Sequence, residues 1–163
     1  MELCDDAPLH TERLRLVPNT PEEVRAQIVR MDARDKAELS AAWLARLDAA
    51  TTIDPWVLGF SIVLTATGDI IGTCGFKGPP DSDGMVEIAY GVAPAHQNRG
   101  YATEAAAELV RFAFGSALVR VVRAHTVEGA GASARVLEKC RFRPCGQVME
   151  PDDGLVWRWE ITQ

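Results

Sequence analysis

The hydrophobic positions of the chain follow two periods in turn. Leu14-Arg15-Leu16-Val17 alternates as a short first strand and is ended by Pro18. Helical spacing then takes over. Val24, Ile28 and Met31 form one apolar stripe, and Leu39, Trp43, Leu44 and Leu47 form a second. Thr20-Pro21-Glu22-Glu23 starts the first of these helices. Thr20 suits the N-cap, Pro21 the first helical position, and Glu23 can complete a capping box. The charged stretch Asp32 to Lys36 is expected to separate the two helices.

From Trp56 onward the period shortens. Trp56 to Leu64 and Ile70 to Phe76 are rich in β-branched and aromatic residues, with Thr67-Gly68-Asp69 as a hairpin turn between them. Gly78 to Gly84 is a loop by composition. Met85 to Val92 alternates as the next strand, and an Ala-rich helix is expected from Tyr101 to Ala117. Val119 to Thr126 reads as a strand, Ser133 to Cys140 as a short helix, and Phe142 to Met149 and Val156 to Ile161 as closing strands. Interleaved strands and helices predict an α/β or α+β layered fold, and the hairpins make part of the sheet antiparallel.

The most informative stretch is Gln97-Asn98-Arg99-Gly100-Tyr101-Ala102, between the strand ending at Val92 and the Ala-rich helix. A strand passing through a glycine-bearing turn into a helix aims several unpaired backbone N–H groups at one point. The helix dipole adds roughly half an elementary charge there. Such a place binds phosphate. Gly100 lets the backbone come close to an anion, and Arg99 can add charge. The same residues also fit an ordinary strand-to-helix turn.

On the Met85–Val92 strand, Val86, Ile88, Tyr90 and Val92 share a large apolar face, which is expected to be core. Met85, Glu87, Ala89 and Gly91 share the other, where a carboxylate stands beside two very small residues. Something has room to lie against the backbone there. Glu87 is a candidate general base on a cleft wall, or else a solvated strand carboxylate. Ser133 follows Glu128-Gly129-Ala130-Gly131-Ala132, and its hydroxyl either caps the helix or points into the same cleft. Ala134 stands where G-x-G-x-x-G needs its third glycine, and no Walker loop is present. No Ser-His-Asp order or Cys-His pairing supports nucleophilic catalysis.

Composition narrows the partners more than the fold. A length of 163 residues suits one domain, taken as 1–163. The formal net charge of -6 argues against a protein whose main business is nucleic acid and favours cationic partners such as amines. Cys4, Cys74, Cys140 and Cys145 contain no C-x-x-C pair, and His10, His96 and His125 are scattered, so no metal site is expected. The cysteines read as small apolar residues or inert thiols of a reducing compartment. No basic head followed by an apolar stretch opens the chain, and no run approaches the ~20 apolar residues of a membrane span. A cytoplasmic protein without a membrane partner is the expectation.

Four segments carry a resemblance, in order along the chain: Thr11-Glu12-Arg13-Leu14-Arg15-Leu16, Glu87-Ile88-Ala89-Tyr90-Gly91-Val92, Gln97 to Ala105, and Ser133 to Phe142. Together the chain resembles the GNAT superfamily of acetyl-CoA-dependent N-acetyltransferases, and most of all the branch acting on ribosomal-protein N-terminal residues. The likeness covers nearly the whole chain, and the turn fits the family's Q/R-x-x-G-x-G/A pattern. It implies a mixed, V-splayed sheet of about seven strands flanked by about four helices. Acetyl-CoA would lie between the strand ending at Val92 and Val119–Thr126. Its pantetheine arm would pair with the backbone near Gly91 and Val92, and its pyrophosphate would rest on Gln97, Asn98, Arg99, Gly100, Tyr101 and Ala102. A primary amine would attack the thioester directly, in a ternary complex. Glu87 would take a proton, a backbone N–H near Val92 would polarise the thioester oxygen, and Ser133 would protonate the leaving thiolate. The family's members are often monomers or homodimers.

Three positions depart from the family pattern. Leu137 stands where many members carry a tyrosine acid, Ala130 where the branch has an asparagine, and Arg141 where a glycine is usual. These departures motivate an alternative, a non-catalytic module that binds or senses an acyl-CoA, with an unrelated nucleotide-binding protein as a third reading. The acceptor would be shaped around Asp32 to Lys36 and Met149 to Gly154, both acidic in part. A peptide N-terminus, a polyamine, an aminoglycoside and a small amino compound all fit.

Overall fold

The computed structural model describes residues 7–37, 39–129, 131–151 and 153–163, so Cys4 and Ala130 lie outside the described residues. The strands are β1 (Leu9–His10), β2 (Leu14–Pro18), β3 (Phe60–Leu64), β4 (Ile70–Phe76), β5 (Met85–Val92), β6 (Val121–Thr126), β7 (Arg143–Glu150) and β8 (Gly154–Thr162). The helices are α1 (Pro21–Arg30), α2 (Ala33–Ala37), α3 (Ala41–Ala49), α4 (Pro55–Leu58), α5 (Tyr101–Phe114) and α6 (Gly131–Lys139). One mixed sheet runs in the order β1-β2-β3-β4-β5-β6-β8-β7. The expected mixed α/β architecture is therefore present, with one strand more than anticipated and two additional helices, α2 and α4, of about one turn each.

Among the described residues the sheet has one parallel pair, and it opens there. β5 and β6 pair over Met85–Glu87 and Val121–Arg123 and no further. Beyond that point β5 stays bonded to β4 through Ile88–Val92, and β6 to β8 through Ala124–Thr126, so the two strands diverge. A wedge is left between them with one free edge of β5 facing into it. On the core side, Val86 and Ile88 are buried as the alternation predicts, while Tyr90 and Val92 are only partly covered. α5 packs Ala105, Ala106, Leu109 and Ala113 into the same core, and their small size lets the helix lie close to the sheet.

Local signals explain where the expectations held and where they moved. Thr20 caps α1, its hydroxyl accepting from the Glu23 N–H at 3.1 Å, with Pro21 in the first helical turn. Asp32 caps the amide of Asp35 at 2.8 Å and turns the charged separator into the short helix α2. The strand expected from Trp56 begins only at Phe60. Asp54 accepts from the Trp56 N–H at 3.0 Å and, with Pro55, starts helical turn α4 despite the β-rich composition. Gly115 ends α5 three residues before the expected Ala117.

Candidate active site

Two cavities open from the wedge between β5 and β6, one of about 420 Å³ and one of about 220 Å³. Tyr90 and Ser133 line both, so the cavities meet at these two side chains.

The larger cavity is walled by the end of β5, the turn into α5 and the start of α6. Gly91 and Val92 form its β5 side, and a side chain built on Gly91 would enter open space. Asn98 (φ +64°) and Gly100 (φ +84°, ψ 5°) carry the turn through the left-handed region, which Gly and Asn tolerate best. No side chain caps α5, and the first amide bonded back into the helix is that of Glu104, to Gly100 O. The N–H groups of Tyr101, Ala102 and Thr103 thus lack partners among the described residues, beside residues that line the cavity. The side chain of Gln97 ties the turn back to β5 by donating to Val92 O at 2.9 Å. Gln97, Asn98, Gly100, Tyr101 and Ala102 all line the cavity, whereas Arg99 is exposed and does not. Its positive charge comes from Arg135 and Lys139, one turn apart on α6, which the sequence analysis did not single out.

The turn is braced from behind by the segment before β2. Arg13 donates to Arg99 O at 2.9 Å and to Glu104 Oε1 at 2.9 Å, and its guanidinium lies 4.5 Å from the centre of the Tyr101 ring. The Arg13 N–H and the Thr11 hydroxyl both donate to Glu104 Oε2. Burial would raise the Glu104 pKa, but the hydrogen bonds from Thr11 and Arg13 outweigh it and hold the carboxyl below its ordinary value. Thr11 and Arg13 stood in the opening segment of the resemblance without a role; the fold makes them the brace of the turn.

The smaller cavity is walled by charge. Glu87 Oε2 lies 2.8 Å from Lys77 Nζ and 3.0 Å from His125 Nδ1. Arg158 Nε–H donates to His125 Nε2 at 3.1 Å, which leaves the ring proton on Nδ1, facing Glu87. The contact is a close approach and not a hydrogen bond, and among the described residues the buried Nδ1 has no hydrogen-bond partner. Arg158 also binds Glu150 at 2.5 Å, and Lys77 reaches Asp153 at 3.2 Å. For Lys77, burial acts to lower the pKa, and the contacts with Glu87 and Asp153 more than reverse it, so the amine rests as an ammonium. Of the two segments expected to shape an acceptor, Met149 to Gly154 contributes Asp153, while none of Asp32 to Lys36 lines either cavity.

Between the cavities, α6 begins at Gly131, so Ser133 lies inside its first turn and not at the cap. The Tyr90 hydroxyl donates to Ser133 O at 3.4 Å. Burial pushes the Tyr90 pKa up to about 12, so the phenol keeps its proton at neutral pH. Leu137 is fully buried in the core, and its position faces away from the cleft. Arg141 has φ +69°, and the amides of Arg141 and Phe142 bond to Glu138 O and Leu137 O at 3.0 and 2.9 Å. That is the helix-ending motif in which glycine is usual, so the glycine position is kept in backbone shape with an arginine in it.

No group of three or more His, Cys, Asp or Glu among the described residues is arranged to hold a metal. Among those residues no helix is long and apolar enough to cross a membrane.

The family model for the acetyltransferase (GNAT) domain matches residues 7–143, which leaves β8 and all but the first residue of β7 beyond it. The chain is 31% identical over 99 residues to the uncharacterized N-acetyltransferase YjdG of Bacillus subtilis (strain 168). That match covers 61% of this chain and 56% of YjdG, so the chain spans little more than half of that relative. Among solved structures, one described as a GNAT-family acetyltransferase from Bordetella pertussis is similar, at TM-score 0.69 and 26% identity over 94% of this chain and 98% of that one. The structure of AAC(6')-Ib in complex with ribostamycin and coenzyme A shares the fold, at TM-score 0.66 and 17% identity over 93% and 94% of the two chains.

Proposed function

The chain belongs to the acetyltransferase (GNAT) domain family, and on that premise we propose that it moves an acetyl group from acetyl-CoA to a primary amine, by direct attack in a ternary complex. The observation that carries this reading is the junction of the two cavities at Tyr90 and Ser133. One cavity offers unpaired amides and cationic side chains, the other a carboxylate.

The roles follow from the chemistry of the walls. The free amides at the start of α5, with Arg135 and Lys139, suit the diphosphate of the coenzyme. Apart from Val92 O, which Gln97 takes, the edge of β5 that β6 leaves open near Gly91 and Val92 suits the amide groups of the pantetheine arm, which would add to it as a further strand. Acetyl-CoA supplies an activated acyl group, and a backbone N–H near Val92 polarises its carbonyl. Glu87 takes a proton from the acceptor ammonium, a step that typically contributes ~10²–10⁴-fold. His125, bonded by Arg158, faces Glu87 from the opposite wall, with Nδ1 3.0 Å from Oε2. Ser133 supplies the proton for the departing thiolate, with the protonated phenol of Tyr90 beside it. A peptide N-terminus or a small cationic amine fits the second cavity, whose acidic walls attract an ammonium ion.

Leu137 favours one second reading, because its burial removes the family's tyrosine acid from the cleft. That reading is a module that binds an acyl-CoA without turnover. Titration calorimetry with acetyl-CoA, followed by a thiol-release assay over a panel of amines, separates the two. Coenzyme binding with thiol release is the expected result. Binding with no release for any amine favours the sensor, and no binding at high micromolar coenzyme overturns both.

A further inference from the structure

Acetyl transfer to an outside amine leaves one amine of the chain itself unexplained. Lys77 follows β4 directly and extends into the smaller cavity, where Nζ sits 2.8 Å from Glu87 Oε2 and 3.2 Å from Asp153 Oδ2. An acceptor ammonium has to occupy this place for Glu87 to remove its proton, since a general base works within about 2.6–3.2 Å of its target. The cavity also contains Tyr90 and Ser133, the residues at its junction with the larger one. The Lys77 side chain is 45% exposed, and its flexible four-carbon stem is free to shift the amine toward that junction. Lys36 lies on the exposed helix α2 and Lys139 in the larger cavity, so neither of the chain's other two lysines meets a base in this way.

We propose that Lys77 is itself an acceptor: with acetyl-CoA bound and no outside amine in the cavity, the protein acetylates its own Lys77. The proposal rests on the acetyltransferase reading of the cleft. Glu87 takes one proton from the ammonium, and the freed lone pair of Nζ forms the N–C bond at the thioester carbonyl carbon. The C–S bond breaks and the coenzyme leaves as its thiol. The nitrogen loses two protons in all. One is balanced by the proton that Ser133 delivers to sulfur, and the other passes through Glu87 to solvent. The product is a neutral amide. Glu87 and Asp153 then lose their resident cation, and the cavity becomes one charge more acidic toward outside amines.

The test incubates the full chain with acetyl-CoA alone, then reads intact mass and maps peptides. The expected result is one acetyl group per chain, on Lys77, absent from Lys77→Arg and formed at least about a hundredfold more slowly in Glu87→Gln. Acetyl spread over Lys36 and Lys139, or undiminished on Lys77 in a folded Glu87→Gln variant, would be solution chemistry and overturns the proposal. Coenzyme titration and thiol release with an outside amine are run on the same sample. If the coenzyme binds and that amine is acetylated while Lys77 stays unmodified, self-acetylation fails alone. If the coenzyme does not bind, the proposed function fails with it.

Discussion

One wall of the larger cavity is contiguous in sequence, running from Gly91 through the Gly100 turn into α5, and α6 supplies the other. The smaller one is lined by charged side chains that separate strands and their connections bring together, Lys77 after β4, Glu87 on β5, His125 on β6 and Asp153 before β8, with Arg158 and Glu150 packed against His125. The difference has a consequence for substitution. Backbone amides survive the replacement of most side chains around them, so the first cavity is sensitive mainly to glycines and to what braces the turn. The second depends on individual charges, and removing one partner leaves another partly buried charge uncompensated. Each half should therefore fail in its own way.

The largest expected effect breaks the second cavity alone. Glu87→Gln lowers turnover by about 10²–10⁴-fold while leaving acetyl-CoA affinity unchanged, measured by steady-state kinetics beside calorimetry. A parallel loss of coenzyme affinity would mean that the two cavities do not act separately. Gly91→Val is the converse. A Cβ there has no protein atom within 4 Å, so the thermal melt is expected to be unchanged. The new methyls enter the space assigned to the pantetheine arm, and the coenzyme Kd rises roughly tenfold or more, about 1.4 kcal/mol.

The brace of the turn gives a smaller and pH-dependent effect. Glu104 is held below its ordinary pKa of 4.5, so its stabilising contribution is fully present above that value. It is lost as pH falls through the lower folded-state value, when the carboxylate that Thr11 and Arg13 bind becomes protonated. Coenzyme affinity measured down the acid limb should fall there by several-fold, and Glu104→Gln should show the weakened affinity at neutral pH with that limb removed.

Smallest of all is Arg141→Gly, which touches neither cavity. Relieving a left-handed residue at φ +69° stabilises the chain by about 1 kcal/mol, a rise of about 2–4 °C in Tm, with kinetics unchanged. An unchanged melt would mean that the Arg141 side chain recovers the strain through contacts of its own.

Much of the first cavity could be read from the sequence, because its signals are local. Strand alternation ending at Val92, a glycine at position 100 and an Ala-rich helical run lie within one short window, and each constrains backbone geometry on its own. The same locality explains the capped start of α1 at Thr20. It also explains the misreading of Trp56 to Leu64, where the Asp54-Pro55 helix start prevailed over a run of β-forming residues. Glu87 was singled out by its small neighbours on the strand face, but nothing near it in sequence announces Lys77 or His125.

The order of the longer strands and helices, the turn through Gly100 into α5 and the carboxylate on its bare strand face were thus set by the sequence alone, since short-range dihedral and periodic preferences decide them. The tertiary structure decided which charges Glu87 meets, why Arg13 matters to a turn 86 residues away, and that Arg135 and Lys139, not Arg99, face the cleft. These are matters of register between strands and of helix rotation. Long-range pairing and core packing fix both: a shift of one residue would send a strand side chain to the opposite face and turn a helical one by about 100°.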